Sequence, residues 1–398
     1  MGRIVHIGLG NFARAHLLDY TADVGGWDVV GVSLRSAAVR DGLAKQGFAY
    51  DLCVQGQGAK QIDVLSDVLV APENPSAVLD AMAHAEIISA TVTEKGYYLD
   101  SEGQLDLDDP VIQAELSGQG PRSLIGYLVQ ALARRCSPVT VLSCDNRVGN
   151  GDALRRAARR FAKAAGLSVD WSVVTFPNAM VDRITPATTD ALRHECGDPM
   201  AVPTEAFREW VIEDNFAGPR PDWPDVQFVA DVAPHELRKL RMLNGAHSFM
   251  AYTGLLKGLT YVHEAVTDVQ LRRQVEWLMA EAGATLPDEV QAQVPAYARA
   301  LLRRFENPQL QHRLDQIAMD GSQKLPYRFI GTLRDGPAPT VAEGVQAWIS
   351  FCMAQVAQGR TPDDPKAAEI AAAVTSSNPR HALLKLVGAA DLAPIIAE

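Results

Sequence analysis

The sequence predicts an α/β fold: a doubly wound parallel sheet in the N-terminal part, followed by a mostly α-helical C-terminal domain. Three observations predict it. Short apolar runs alternate with helical stretches through the first half of the chain, the pattern of a parallel sheet covered by helices on both faces. A glycine-rich turn joins the first apolar run to the first helical stretch. Beyond Pro203 strand signals nearly cease, and Ala- and Leu-rich helical text runs almost to the end.

Taken in order, residues 4–7 (IVHI) read as a buried strand and 14–23 as a helix. Residues 29–34 (VVGVSL) read as a second buried strand and 37–46 as a second helix. A strand at 86–93 (EIISATVT) precedes a helix at 123–135, and a strand at 139–143 precedes a strongly patterned helix at 152–165. A strand at 173–176 follows, and 226–230 (VQFVA) is the last strand-like piece. Helices at 265–282, 288–305, 341–358 and 365–373 are separated by Gly, Pro or Asn, which punctuate helical text. Residues 218–224 (GPRPDWP) form a stiff connector, and the boundary falls at 231–234, giving domains 1–232 and 233–398.

The 398 residues are 47% apolar and 21% charged, ordinary for two globular domains. The net charge of −11, from 48 acids against 37 bases, disfavours general binding to nucleic acid or an anionic membrane. Local Arg and Lys can still hold a small anionic substrate. Five scattered cysteines, Cys53, Cys136, Cys144, Cys196 and Cys352, form no Cys-x-x-Cys pair. Neither a disulfide framework nor a cysteine zinc site is expected; reduced thiols fit better. The chain runs directly into its first strand without a signal-peptide pattern, and no apolar run is long enough to span a bilayer, so a cytoplasmic protein is expected. The acidic surface suits a monomer or a dimer equally.

Gly8-Leu9-Gly10-Asn11-Phe12-Ala13 links the first strand to the first helix. This Gly-x-Gly-x-x-Ala turn, opening a βα pattern, is a Rossmann-type dinucleotide fingerprint. Gly8 permits the tight turn, Gly10 lets backbone approach a pyrophosphate, and Ala13 stands for the third glycine. The first domain is therefore expected to bind a dinucleotide. The acid expected at the end of the second strand is missing: that stretch reads Leu34-Arg35-Ser36-Ala37. An acid there grips the ribose hydroxyls of NAD, whereas Arg35 or Arg40 could accept the extra phosphate of NADP. Arg35 could equally be a solvated strand-end charge.

The segment Lys239-Leu-Arg-Met-Leu-Asn244-Gly-Ala-His247-Ser248 opens the helical domain. At about 100° per residue, Lys239, Asn244 and His247 share a face roughly 140° wide. Leu240 and Leu243 share it, so it is expected to point inward. A buried lysine can act as general base, an amide can donate to a developing alkoxide, and a histidine can orient either. A lone Lys is more often solvated and a lone His more often a packing residue. Asn146, just beyond the 139–143 strand, lies at the carboxyl end of a sheet strand, where ligands bind in open parallel sheets. It could also be a simple turn residue, and Asn150-Gly151 is a plausible turn in its own right. His263-Glu264 sits at a predicted helix start and reads as structural.

Together these segments resemble the mannitol dehydrogenase family of polyol-specific long-chain dehydrogenases, which includes mannonate (fructuronate) oxidoreductases. The resemblance runs through GLGNFARAH at 8–16, TVTEKGY at 91–97, SCDN at 143–146, FPNAMVDRITP at 176–186, Trp210 to Asp214, Lys239 to Ser248, and DGSQKLP at 320–326. It implies a metal-independent hydride transfer with NAD (NADP possible) and a mannitol/fructose or mannonate/fructuronate type of substrate. It implies Lys239 as general acid/base, Asn146 and Asn244 as the oxyanion hole, and His247 as positioner of substrate and lysine. Asp182 and Lys324 would lie near the substrate hydroxyls, though Asp182 could instead partner Arg183. Gly8, Gly10, Asn11, Phe12, Arg35, Thr93, Glu94 and Lys95 would lie near the cofactor. The chain is shorter than most family members, so some substrate-enclosing or surface elements are expected to be missing. Lys324 and Arg328 are cations that could hold a substrate carboxylate or serve a neutral polyol. A β-hydroxyacid dehydrogenase also pairs a helical Lys with an Asn, but the five-residue Lys239–Asn244 step and the SCDN segment argue against it. A non-catalytic dinucleotide sensor would have no need of Lys239, Asn244, His247 and Asn146 together.

Overall fold

The computed structural model describes residues 2–100 and 102–396. The chain divides into two compact units, the first ending at Ala233 and the second beginning at Pro234. The strands of the first unit are β1 (Gly2–Ile7), β2 (Trp27–Ser33), β3 (Tyr50–Val54), β4 (Gly58–Ile62), β5 (Leu65–Val70), β6 (Ile87–Ala90), β7 (Val139–Ser143), β8 (Val174–Thr175), β9 (Ala179–Asp182), β10 (Val202–Thr204), β11 (Glu209–Glu213) and β12 (Val226–Val229).

Six of them form one all-parallel sheet in the order β5-β2-β1-β6-β7-β8. Counted along the chain within that sheet, the order is 3-2-1-4-5-6, the dinucleotide-binding arrangement whose direction reverses between β1 and β6. Ile4 faces one core with Leu17, Leu18 and Tyr20. Val5 and Ile7 face the other with the helices Pro75–Ala83, Leu124–Leu132 and Asn150–Ala164. Burial on both faces is why these strands read as continuous apolar runs rather than as alternation. Two three-stranded sheets, β10-β3-β4 and β12-β11-β9, complete the unit. Sequence reading passed over most of their strands because they are short and half polar, as in Gly58-Ala-Lys-Gln-Ile62.

Several boundaries moved, each for a local reason. The helix expected at 14–23 is two helices, Asn11–Ala15 and Leu17–Ala22, interrupted at His16 with φ −119° and ψ −84°. The strand expected at 86–93 stops at Ala90, because Thr91 leaves the sheet to brace the glycine turn. The helix expected at 265–282 is Val262–Thr267 and Val269–Ala284: Asp268 caps the second through the N–H groups of Gln270 and Leu271. Pro295 starts a fresh helix, Val294–Phe305, behind the single turn Asp288–Gln291.

Two buried polar networks hold the first unit. At the centre of the sheet, the Thr91 hydroxyl donates to the Gly8 carbonyl at 2.7 Å. Its oxygen therefore accepts from His6 Nε2 at 2.9 Å, leaving Nδ1 to accept from the Ser89 hydroxyl at 2.8 Å. Burial pushes the His6 imidazole down from 6.5 to about 3, so the neutral tautomer this chain needs is the stable one. Asp19, on the helix Leu17–Ala22, accepts from Lys60 at 2.6 Å, Arg183 at 2.5 Å and Arg208 at 2.9 Å. It thereby ties β4 and the segments after β9 and before β11 to that helix. Burial alone would raise the Asp19 pKa, but Lys60 and Arg183 outweigh it and hold the carboxyl below its ordinary value.

Asp19→Ala should cost about 3–5 kcal/mol, because three cations lose one buried counter-charge; denaturant unfolding measures it. Since the Asp19 pKa is depressed in the folded state, its contribution is complete above the unfolded carboxyl value near 3.8 and is lost as pH falls through the lower folded value. His6 acts in the same direction over a higher window. Unfolded chains take up its proton below pH 6.5, while the folded chain resists it down to about 3. The unfolding midpoint of the parent should therefore fall more steeply between pH 6.5 and 4 than that of His6→Gln; equal slopes would refute the buried neutral imidazole.

Candidate functional site

The turn after β1 is built around two glycines with different reasons for being glycine. Gly8 has φ +92°, and a Cβ there would stand 2.2 Å from the Thr91 carbonyl oxygen; no side chain fits. Gly10 is extended, and the nearest atom to a Cβ would be the Gly8 oxygen at 3.9 Å. Open space above its α-carbon is what a phosphate needs to reach the backbone. The helix Asn11–Ala15 has no side-chain cap, so its first N–H groups remain for a ligand. The Asn11 amide is used internally, donating to Thr188 Oγ1 at 3.0 Å and accepting from Arg14 at 2.7 Å. Asn11 thus offers the turn its main chain rather than its side chain. Phe12 lies half-buried with its ring 5.0 Å from that of His16. The turn sits at the carboxyl ends of β1 and β6, the switch point where a dinucleotide fits this fold.

Other expected residues of the first unit line up around the same sheet edge. Arg35 is exposed just past β2. Arg40 is committed to Glu73, donating to its two carboxylate oxygens at 2.5 and 3.1 Å. Thr93 and Lys95 are exposed at the short 3-10 helix Glu94–Tyr97; the side chain of Glu94 lies outside the described groups. Asn146 is exposed in the bend beyond β7. That bend is anchored by buried Asn150, whose amide donates to the carbonyls of Asp145 at 3.2 Å and Ala179 at 2.7 Å and accepts from the Ala179 N–H. Asn150-Gly151 therefore opens the long helix Asn150–Ala164 and is not a separate turn. Gly151 is required because a Cβ would lie 2.4 Å from the Pro177 oxygen. Asp182 is buried in β9 opposite Glu209. Its neighbour Arg183 turns to Asp19 instead of to Asp182.

In the second unit the structure departs from the α-helical projection. Lys239–Asn244 is a π-helical turn, closed by the Gly245 N–H donating to Leu240 O, and the α-helix Gly245–Leu256 continues from it. In an i→i+5 turn, residues five apart come nearer to one face than the α projection allows. The five-residue Lys239–Asn244 step is thus matched by the backbone. Lys239 and Asn244 are half-buried. The Asn244 side-chain amide makes no hydrogen bond among the described residues. His247 is 8% exposed, its ring 4.9 Å from Phe305 and 5.0 Å from His312. Burial, and then His312, Arg304 and Arg328, hold it well below 6.5, so it is a neutral imidazole.

A second π turn, Pro326–Ile330, faces the first, closed by the Gly331 N–H donating to Pro326 O. From it Arg328 Nη1 donates to Asn244 O at 3.3 Å and to Ser248 Oγ at 2.8 Å. Lys324, expected near substrate, spends its ammonium on the carbonyls of Met319 at 2.6 Å and Ile317 at 3.5 Å, with Asp320 at 3.6 Å. Glu264 accepts from the N–H groups of Thr260 and Tyr261 and caps the helix Val262–Thr267. Sequence reading missed His6 and Thr91 as braces of the turn; the only available signal was a polar residue inside an otherwise apolar strand. Among the described residues no three His, Cys, Asp or Glu side chains gather as a metal-binding group, and no helix is long and apolar enough to cross a membrane.

The chain matches the mannitol dehydrogenase Rossmann domain over residues 2–225 and the mannitol dehydrogenase C-terminal domain over 231–393. It is 40% identical to D-mannonate oxidoreductase of Escherichia coli (strain K12), across 92% of this chain and 84% of that protein. It is 39% identical to a mannitol 2-dehydrogenase of Phaeosphaeria nodorum, across 94% and 73%. The solved Pseudomonas fluorescens mannitol 2-dehydrogenase, a ternary complex with NAD and D-mannitol, aligns with a TM-score of 0.80 at 32% identity, covering 100% of this chain and 90% of that one. With both domain types present in order and such relatives along its length, this chain belongs to the mannitol dehydrogenase family.

Proposed function

We propose that this protein is an NAD-dependent dehydrogenase that interconverts a secondary hydroxyl of a sugar alcohol or sugar acid with the corresponding ketone. The observation that carries the reading is the π turn bearing Lys239 and Asn244, with neutral His247 on the helix it leads into. NAD, when bound, supplies the hydride acceptor at its nicotinamide ring. The glycine turn fits it: Gly10 leaves room for the pyrophosphate, and the uncapped N–H groups after it can receive phosphate oxygens. Arg35, Thr93, Glu94 and Lys95 belong to the cofactor side of this proposal. The mannitol 2-dehydrogenase neighbour carries NAD, and Arg40 already pairs with Glu73, which weakens its claim on the extra phosphate of NADP.

The chemistry then falls to side chains. As the carbinol C–H bond breaks, Lys239 takes the hydroxyl proton as general base, and it returns that proton in the reverse direction. The Asn244 amide donates to the oxygen as negative charge develops, with Asn146 as the second donor. Neutral His247 can accept from or donate to a neighbouring substrate hydroxyl. Asp182 is assigned to substrate hydroxyls. Lys324 is assigned to them as well, its ammonium also donating to the carbonyls of Ile317 and Met319. Lysine and amides together replace a Lewis acid, so the proposed reaction needs no metal. Five free cysteines suit a reducing compartment, and the cytoplasm is the proposed location.

Lys239→Ala should lower kcat by about 10²–10⁴-fold while NAD binding, followed by fluorescence, stays near that of the parent. Near-normal turnover in that variant would remove the lysine assignment. Separately, activity should survive exhaustive chelation; loss on chelation with recovery on added zinc would sink the metal-independent reading. Gly8→Ala should abolish NAD binding, because its Cβ cannot coexist with the Thr91 carbonyl.

A further inference from the structure

Arg328 is a buried charge that no carboxylate contacts directly among the described residues. Its guanidinium lies deep enough that burial pulls it from 12.5 to about 10. Yet among the described residues its only hydrogen-bond partners are the Asn244 carbonyl and the Ser248 hydroxyl, both reached through Nη1. Among the described residues no carboxylate forms an ion pair with it: Asp320 acts on it only through space and lies 3.6 Å from Lys324 instead. Buried charges are ordinarily paired, because an uncompensated one costs several kcal/mol. The Nε and Nη2 groups make no bond among the described residues, and neither is a sealed orphan donor, since the residue keeps part of its surface open. That edge of the fork is the one that meets a planar carboxylate with two parallel N–H···O bonds.

Its position adds to this. Nη1 is fixed 3.3 Å from the main chain of Asn244, one of the residues assigned to the reacting oxygen. The two π turns face each other, so the open edge belongs to the same small region of the second unit as Lys239 and Asn244. Lys324 is a poorer anion anchor, because two carbonyls and Asp320 already take up its ammonium.

We infer that the Nε–Nη2 edge of Arg328 is a carboxylate subsite, and that the substrate of this chain is a sugar acid rather than a neutral polyol. The inference rests on the dehydrogenase reading above and deepens it by naming the substrate class. A carboxylate seated there supplies the missing counter-charge, and its own distance from the reacting carbon selects which hydroxyl is oxidised.

The test compares D-mannonate with D-mannitol at saturating NAD, in the parent and in Arg328→Gln and Arg328→Lys. The expected parent prefers mannonate in kcat/KM. Arg328→Gln should lower the mannonate-to-mannitol ratio by about tenfold or more, the value of a hydrogen bond to a charged group. Arg328→Lys, which keeps charge but not the fork, should fall between. If Arg328→Gln unfolds, Arg328→Lys and the parent ratio carry the test. A parent that oxidises mannitol as well as mannonate, or a ratio that neither variant moves, overturns the subsite while leaving the dehydrogenase intact. If NAD binds but neither these two nor any of a panel of other hexitols, pentitols and hexonates is oxidised, the dehydrogenase reading fails, and the subsite with it.

Discussion

A single close approach organises the nucleotide-binding unit: the Gly8 carbonyl accepts the Thr91 hydroxyl, while the Thr91 carbonyl occupies the space a Gly8 side chain would need. This contact joins the ends of β1 and β6 at the one place in the sheet where strand order reverses. Everything that makes the turn usable follows from it. Gly8 must be glycine, β6 must end at Ala90 so that Thr91 can turn inward, and His6 must stay neutral to complete the chain of bonds to Ser89. A polar network satisfied at each member favours this one arrangement of the turn.

The second unit uses a different device for the same end. Two π turns replace regular α-helix where the proposed chemistry is done. A π turn is less favourable than α-helix and tends to persist where the surroundings demand it. Here Arg328 supplies part of that demand by bonding the Asn244 carbonyl from the facing turn. The same guanidinium helps hold His247 neutral. One buried cation thus links backbone shape, imidazole charge and the proposed choice of substrate.

Much of this was legible in the residue string. The glycine turn, its place after the first strand, the alternation that implies a parallel sheet and the change to helical text are local patterns, and each has a local physical cause. The residues expected to act, Lys239, Asn244, His247 and Asn146, are suggested by chemical type and spacing, and their roles are what the family resemblance implies. What local pattern could not reveal was the use of each polar group. Asn11 looks like a ligand residue but spends its amide on Thr188 and Arg14. Lys324, a candidate substrate cation, also donates to the carbonyls of Met319 and Ile317. Asn150 looks like a turn but is the buried first residue of a helix. Half-polar strands such as β4 carry too weak an alternation to be seen without the partner they pair with.

By itself the sequence determined the fold class, the two-part organisation and the chemical inventory, because hydrophobic period, glycine placement and residue type act over a few neighbours. Tertiary structure alone decided the pairing of charges: Asp19 with three cations from distant segments, Arg40 with Glu73, and Arg328 with no carboxylate in direct contact among the described residues. Desolvation and Coulomb energy depend on which groups meet in space and how much water remains between them. Neither quantity is written in the order of residues along the chain. The glycine turn was therefore readable from the first strand onward, whereas the open edge of Arg328 became visible only when the two π turns were seen facing each other.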